Sequence, residues 1–101
     1  MTQRLQFKSF TIDSVSRTAI TVPVACHAVA LRNDDLANDC TLYDAATSGN
    51  SKTLRSGAEE NVVGIPTASA PYPSYRFASG DTVCWIQADA GTGPITGTFI
   101  V

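Results

Sequence analysis

Charge, histidine and pairable cysteine are all scarce in this chain of 101 residues. Asp, Glu, Lys and Arg together make up 16% of it, against roughly a quarter in an average globular domain. Disordered tails are built from charge, so the shortage predicts an ordered chain with a surface of Ser, Thr, Asn and Gln. The seven cations (Arg4, Lys8, Arg17, Arg32, Lys52, Arg55 and Arg76) are scattered with no two adjacent. With a net charge of −2 they leave no basic footprint, and no nucleic-acid partner is expected. His27 is the one histidine, so a Ser-His-Asp or Cys-His site would have to be built around it. Cys26, Cys40 and Cys84 are odd in number and contain no CxxC, which is not a disulfide framework. They read as small buried hydrophobes in a chain that folds in the cytoplasm. A single Cys26–Cys84 or Cys26–Cys40 bridge across a sandwich stays open. No apolar run approaches the roughly 18 residues of a membrane span. The opening MTQRLQFKSF has no apolar core, so no signal peptide is expected.

What the chain has in abundance is a period of two. Leu5 and Phe7 alternate with Arg4, Gln6 and Lys8, the pattern of a half-buried strand. Phe10 and Ile12 continue on the opposite parity, which predicts a change of face by a bulge or bend near Lys8 and Ser9. Residues 18–24 are rich in β-branched side chains, and Pro23 marks an edge or a boundary. Over 24–32, His27, Val29 and Leu31 share one face, while Cys26, Ala28, Ala30 and Arg32 share the other. This predicts a central strand covered on both sides, with the small residues admitting close approach by another layer or subunit. A polar turn follows at 33–39, with one short helical turn conceivable inside it, and then a strand at 40–45. Residues 47–52 form a loop in which Gly49 and Asn50 suit positive φ. Residues 52–55 and 59–64 flank Ser56 and Gly57 as a hairpin would. Three more strands are expected at 75–78, 82–88 and 95–101. Seven or eight short strands with no defensible helix predict an all-β chain: a single antiparallel β-sandwich over 1–101, jelly-roll or immunoglobulin-like in its connections. Residues 1–12 would form an N-terminal arm or edge strand, and 65–74 a proline-rich loop.

Catalytic chemistry finds little to build with. His27 lies beside Val29 and Leu31, and no GxSxG nucleophile elbow exists, so the plainer reading of a structural histidine prevails. One histidine and dispersed cysteines do not make a zinc site. Asp34 and Asp35, like Glu59 and Glu60, are adjacent, whereas glycoside hydrolysis needs two carboxylates facing each other across a cleft. Asp34, Asp35, Asn38 and Asp39 crowd hard oxygen ligands as calcium requires, but without EF-hand spacing; turn capping is the plainer account. The GTGP at 91–94 lacks the phosphate-loop pattern and reads as a tight hairpin. An enzyme is therefore not expected, nor a metal or other cofactor. Trp85 alternates with Val83 and is expected in the core. Tyr72 and Tyr75, beside Pro71 and Pro73, are the expected exposed contact surface.

Two stretches, VPVACHAVALRN at 22–33 and FASGDTVCWI at 77–86, carry a resemblance in style to small β-sandwich proteins on the virions of tailed bacteriophages. The resemblance contains no diagnostic motif. It implies a structural protein that decorates or cements the assembled head, in contact with the major capsid protein or another virion protein. It also implies homo-oligomers, assembly in the host cytoplasm, residence in the virion, and no membrane or nucleic-acid partner. The contact surface expected on this basis is Arg4, Phe7, Pro71, Tyr72, Pro73 and Tyr75. The alternative is a tail- or fibre-borne module binding carbohydrate or a cell-surface receptor through Tyr72 and Tyr75.

Overall fold

The computed structural model describes residues 5–63 and 77–101, with the backbone alone for 61–63. Among these residues eight strands are formed: β1 (Leu5–Asp13), β2 (Thr18–Thr21), β3 (Ala28–Asn33), β4 (Cys40–Tyr43), β5 (Ser51–Leu54), β6 (Glu59–Val63), β7 (Thr82–Ala88) and β8 (Thr92–Ile100). β1 pairs with β8, β2 with β7, β3 with β6 and β4 with β5, all antiparallel. The chain is thus one long paired ribbon. Folding it over adds two pairings, β3 with β8 and β4 with β7. The result is two four-stranded sheets, sheet A in the order β1-β8-β3-β6 and sheet B in the order β2-β7-β4-β5. This nesting is a jelly-roll, and it settles the choice of connectivity.

Strand alternation supplies the core. Val29 and Leu31 of β3 and Ile95 and Phe99 of β8 point inward from sheet A, while Ile20, Cys40, Leu42, Ile86 and Ala88 point inward from sheet B. Gly97 lies in the inner row with Lys8 and Leu31. A Cβ there would stand 2.8 Å from the Phe99 ring and 3.1 Å from the Phe10 ring, so glycine lets the two aromatics close over the strand.

Several expectations are corrected. β1 keeps an unbroken register with β8 from Leu5 to Asp13, so no bulge turns it at Lys8 and Ser9. Leu5 and Phe7 simply face outward, and Phe10 and Ile12 inward. The register break falls instead between Ile20 and Thr21, opposite β7. Residues 52–55 and 59–64 are not a hairpin, because β5 belongs to sheet B and β6 to sheet A. The same holds at 91–94: β7 and β8 lie in different sheets, and β8 already begins at Thr92. Pro94 is tolerated in β8 because β3 has ended at Asn33, beside Ile95. Its carbonyl accepts from the Asp34 N–H at 3.1 Å. In the 47–52 loop it is Ser48 that joins Gly49 at positive φ (50° and 80°), not Asn50. Of the strand expected at 75–78, residues 75 and 76 lie outside the described residues, and Phe77 bridges Cys26. Trp85 is half-buried on the outer face of sheet B, since Cys84, Ile86 and Ala88 take the inner face. β3 is central, but its outer face is only partly covered: Ala28 and Ala30 are half-buried and Arg32 is exposed. No helical turn forms at 34–39, where the chain bends repeatedly. All three cysteines are buried as thiols, with no disulfide between them.

Candidate contact surface

The outer face of sheet A can be read row by row from its register. Leu5 lies beside Ile100, which lies beside Ala28; Phe7 lies beside Thr98, which lies beside Ala30. β1 is flanked by β8 on one side only among the described residues, so its outer side chains are covered from that side alone. Leu5 is 60% exposed and Phe7 65%. Scattered apolar side chains on a surface need no explanation, but two on one edge strand form a patch. The next row, Ser9–Thr96–Arg32, ends it with polar groups. There the Thr96 hydroxyl donates to Asp34, and Arg32 lies 3.5 Å from the same carboxylate. Beyond the other end, the His27 N–H donates to the Ile100 carbonyl at 2.8 Å, extending the pairing past β3.

Of the residues expected at a contact surface, Phe7 is exposed on this face. Arg4, Pro71, Tyr72, Pro73 and Tyr75 lie outside the described residues, as does the 65–74 loop. Sequence reasoning did not single out Leu5, nor Val15 and Leu36, which are 88% and 93% exposed. The last two stand in the β1–β2 and β3–β4 connections, where a single apolar residue in a polar stretch gives no periodic signal.

The carboxylates gathered at 34–39 bind backbone and side chains of this chain. Asp35 Oδ1 accepts the N–H groups of Ala37 and Asn38 at 2.8 and 3.2 Å. Asp39 accepts the Ser56 N–H at 2.9 Å. The Ala37 backbone bond, ahead of the others, holds the Asp35 carboxyl below its ordinary range. Asp13 is likewise lowered by the N–H groups of Ser16 and Val15, each at 2.9 Å. Bonds of this kind are Asx-turns that fix loops. Among the described residues no three His, Cys, Asp or Glu side chains converge as metal ligands would.

Sheet B carries a different outer surface. Ala19, Trp85, Tyr43 and Ser51 form one outer row, and Tyr43, like Trp85, is half-buried. The Arg17 guanidinium lies 3.5 Å from the Tyr43 ring centroid and donates to the carbonyls of Ala45 and Ser48, both at 2.8 Å. Around Tyr43 opens a cleft of about 250 Å3. Its lining includes Leu42, Val83 and Cys84, together with the Lys52–Glu60 ion pair, which joins the two sheets at 2.5 Å.

Among known proteins, no family model matches the chain, and no curated protein matches it. A solved structure, reported as "Bacillus endospore appendages form a novel family of disulfide-linked pili", is similar over 99% of this chain and 88% of that one, at 15% identity and a TM-score of 0.41.

Proposed function

We propose that this chain is a structural protein that acts by contact: a decoration or cement subunit that binds the assembled head of a tailed bacteriophage through the outer face of sheet A. The observation that carries the reading is the exposed pair Leu5 and Phe7 on an edge strand, in outer rows that run on through Ile100 and Thr98 to Ala28 and Ala30. Two further features support it. The jelly-roll is an architecture that viral coat domains use, and a charge-poor surface suits subunit junctions. Apolar area removed from water contributes about 25 cal/mol per Å2, and many copies on one shell multiply a modest contact by avidity.

The test is binding to assembled heads and to unassembled major capsid protein. Saturable binding to heads, with none to free subunits, is expected. A well-buried aromatic at an interface contributes about 2 kcal/mol, so Phe7→Glu is expected to weaken head binding roughly thirtyfold without changing the melting temperature. Equal binding to heads and subunits, or full binding by Phe7→Glu, would sink the reading.

A second reading, a carbohydrate-binding module, is favoured by the side-by-side placement of Trp85 and Tyr43 on sheet B. Aromatic rings with polar neighbours offer sugar rings a stacking face. It expects hits on a glycan array that Trp85→Ala removes; a uniformly negative array excludes it.

A further inference from the structure

We infer that the free edge of β1 pairs antiparallel with β1 of a second copy, so that two A sheets continue as one eight-stranded sheet in a dimer. Among the described residues, β1 has β8 on one side in sheet A and no strand on the other. It is nine residues long and keeps register throughout, so half of its main-chain N–H and C=O groups line an open edge. Proteins usually blunt such an edge with proline, a bulge or outstretched lysines. β1 contains no proline and no bulge. Its one lysine, Lys8, has its ammonium over the Phe10 ring, 5.1 Å from the centroid.

The chemistry of an open edge asks for another strand, and strand lengths identify which one. The other edges, β2, β5 and β6, are four, four and five residues long. Among these edges, only a second β1 can satisfy all nine positions. A two-fold axis perpendicular to the sheet keeps inner faces together, so paired residue numbers must share parity. Centring the axis on Lys8 would set two ammonium groups side by side. Centring it on Ser9 pairs all nine residues and sets no like charges together. Lys8 then faces Phe10 of the second copy, and Phe7 faces its Thr11, an aromatic–β-branched pair. Nine residues at roughly 3.3 Å each run about 30 Å. A strip that long, one side chain deep on both faces, removes on the order of 1,000 Å2 from water across the two copies, enough for a specific interface.

Edge pairing consumes main-chain groups in the plane of the sheet and covers the flanks of Leu5 and Phe7, leaving their ends standing out of it. The dimer would therefore present the docking face twice. It forms without any shell, so it stands or falls separately from the head-binding reading.

The experiment is light scattering on the full chain over a concentration series, without phage material. Wild type is expected at twice the 10.6 kDa chain mass. Ser9 is exposed on the outer face, so Ser9→Lys keeps the fold but sets two lysines on the axis; its dimer dissociation constant is expected to rise at least tenfold. Ser9→Cys, treated with diamide as the oxidant of the two thiols, is expected to give a covalent dimer that wild type does not. A monomeric wild type, a Ser9→Lys variant that dimerises as well as wild type, or no cross-link in Ser9→Cys overturns the proposal.

Discussion

Asn33→Ala is expected to lower the free energy of unfolding by about 3 kcal/mol, with a range of 2–5 set by how much water reaches the vacated groups. Asn33 is the one buried polar residue among those described, only 1% exposed. Its amide nitrogen donates to the carbonyls of Asn38 and Leu54 at 3.0 and 3.2 Å. Its amide oxygen accepts the Asp35 N–H at 3.0 Å. Its own backbone donates to the Ala58 carbonyl at 2.9 Å and accepts from the Gly57 N–H at 2.8 Å. One side chain thus fastens the β3–β4 connection to the end of β5, while its main chain holds the turn that carries the chain from sheet B to sheet A. Alanine would leave the Leu54 carbonyl buried without its donor, the costly half of a broken hydrogen bond. Asn33→Asp is the sharper variant. It keeps the oxygen that accepts from Asp35 but loses both donors and places a carboxylate in a buried site. It is expected to destabilise at least as much as alanine at pH 7, and to recover part of the loss on acidification as the carboxyl protonates. Urea unfolding of both variants measures this; losses below about 1 kcal/mol in both would mean that the hub is not sealed from water.

That hub was invisible in the sequence, and the reason is physical. Asn33 opens a polar run in which every residue reads as solvated turn, and nothing local distinguishes the one whose amide turns inward. The crossing turns at Ser56–Gly57 and Gly91 were missed for a related reason. Tight-turn chemistry is the same whether the next strand pairs with the last or crosses to the other sheet. What sends β6 away from β5 is the pairing of Arg32 with Glu59 and of Leu31 with Glu60, a contact between distant parts of the chain. Alternation itself was legible. β7 occupies its expected residues, 82–88, with Val83, Trp85 and Gln87 on one face and Cys84, Ile86 and Ala88 on the other. Which face turns inward was not legible, because the outer face holds the bulkier apolar side chains. The opposing sheet supplies the missing volume through Phe99 and Ile95, so small residues suffice on β7. In β1 the alternation is also real, but its two apolar parities mimic a change of face. The strand keeps one register with β8 throughout, and its Leu5–Phe7 parity is surface. Of the candidate contact residues, then, Phe7 is expected from its place in the N-terminal arm, and the exposure that makes it interesting could come only from the fold.

The thiols yield the largest expected effect. Burial, the leading cause for both, pushes the Cys84 and Cys40 thiols up from 9.0 to about 12; at Cys40 the nearby Asp89 and Asp39 add to it. The thiolate is the reactive form. A shift of three units leaves roughly a thousandfold less of it at pH 8, so these two residues should alkylate with iodoacetamide about a thousandfold more slowly in the native protein than in urea. Mass mapping of the modified sites measures this directly. Native rates within tenfold of the unfolded ones would show that both side chains reach solvent readily. The same shift has a thermodynamic sign. The folded state holds these protons more tightly than the unfolded chain, so their contribution to stability is intact below pH 9 and is lost as pH rises from 9 through 12. Melting temperature should accordingly fall over that range. Lysine and tyrosine titrate there too, so the Cys40→Ala, Cys84→Ala double variant is the necessary comparison. It should start less stable, because it has lost buried sulfur and its contacts, but fall less steeply with alkali. Parallel curves for the two proteins would assign the alkaline loss to other groups and remove the thiols from the account.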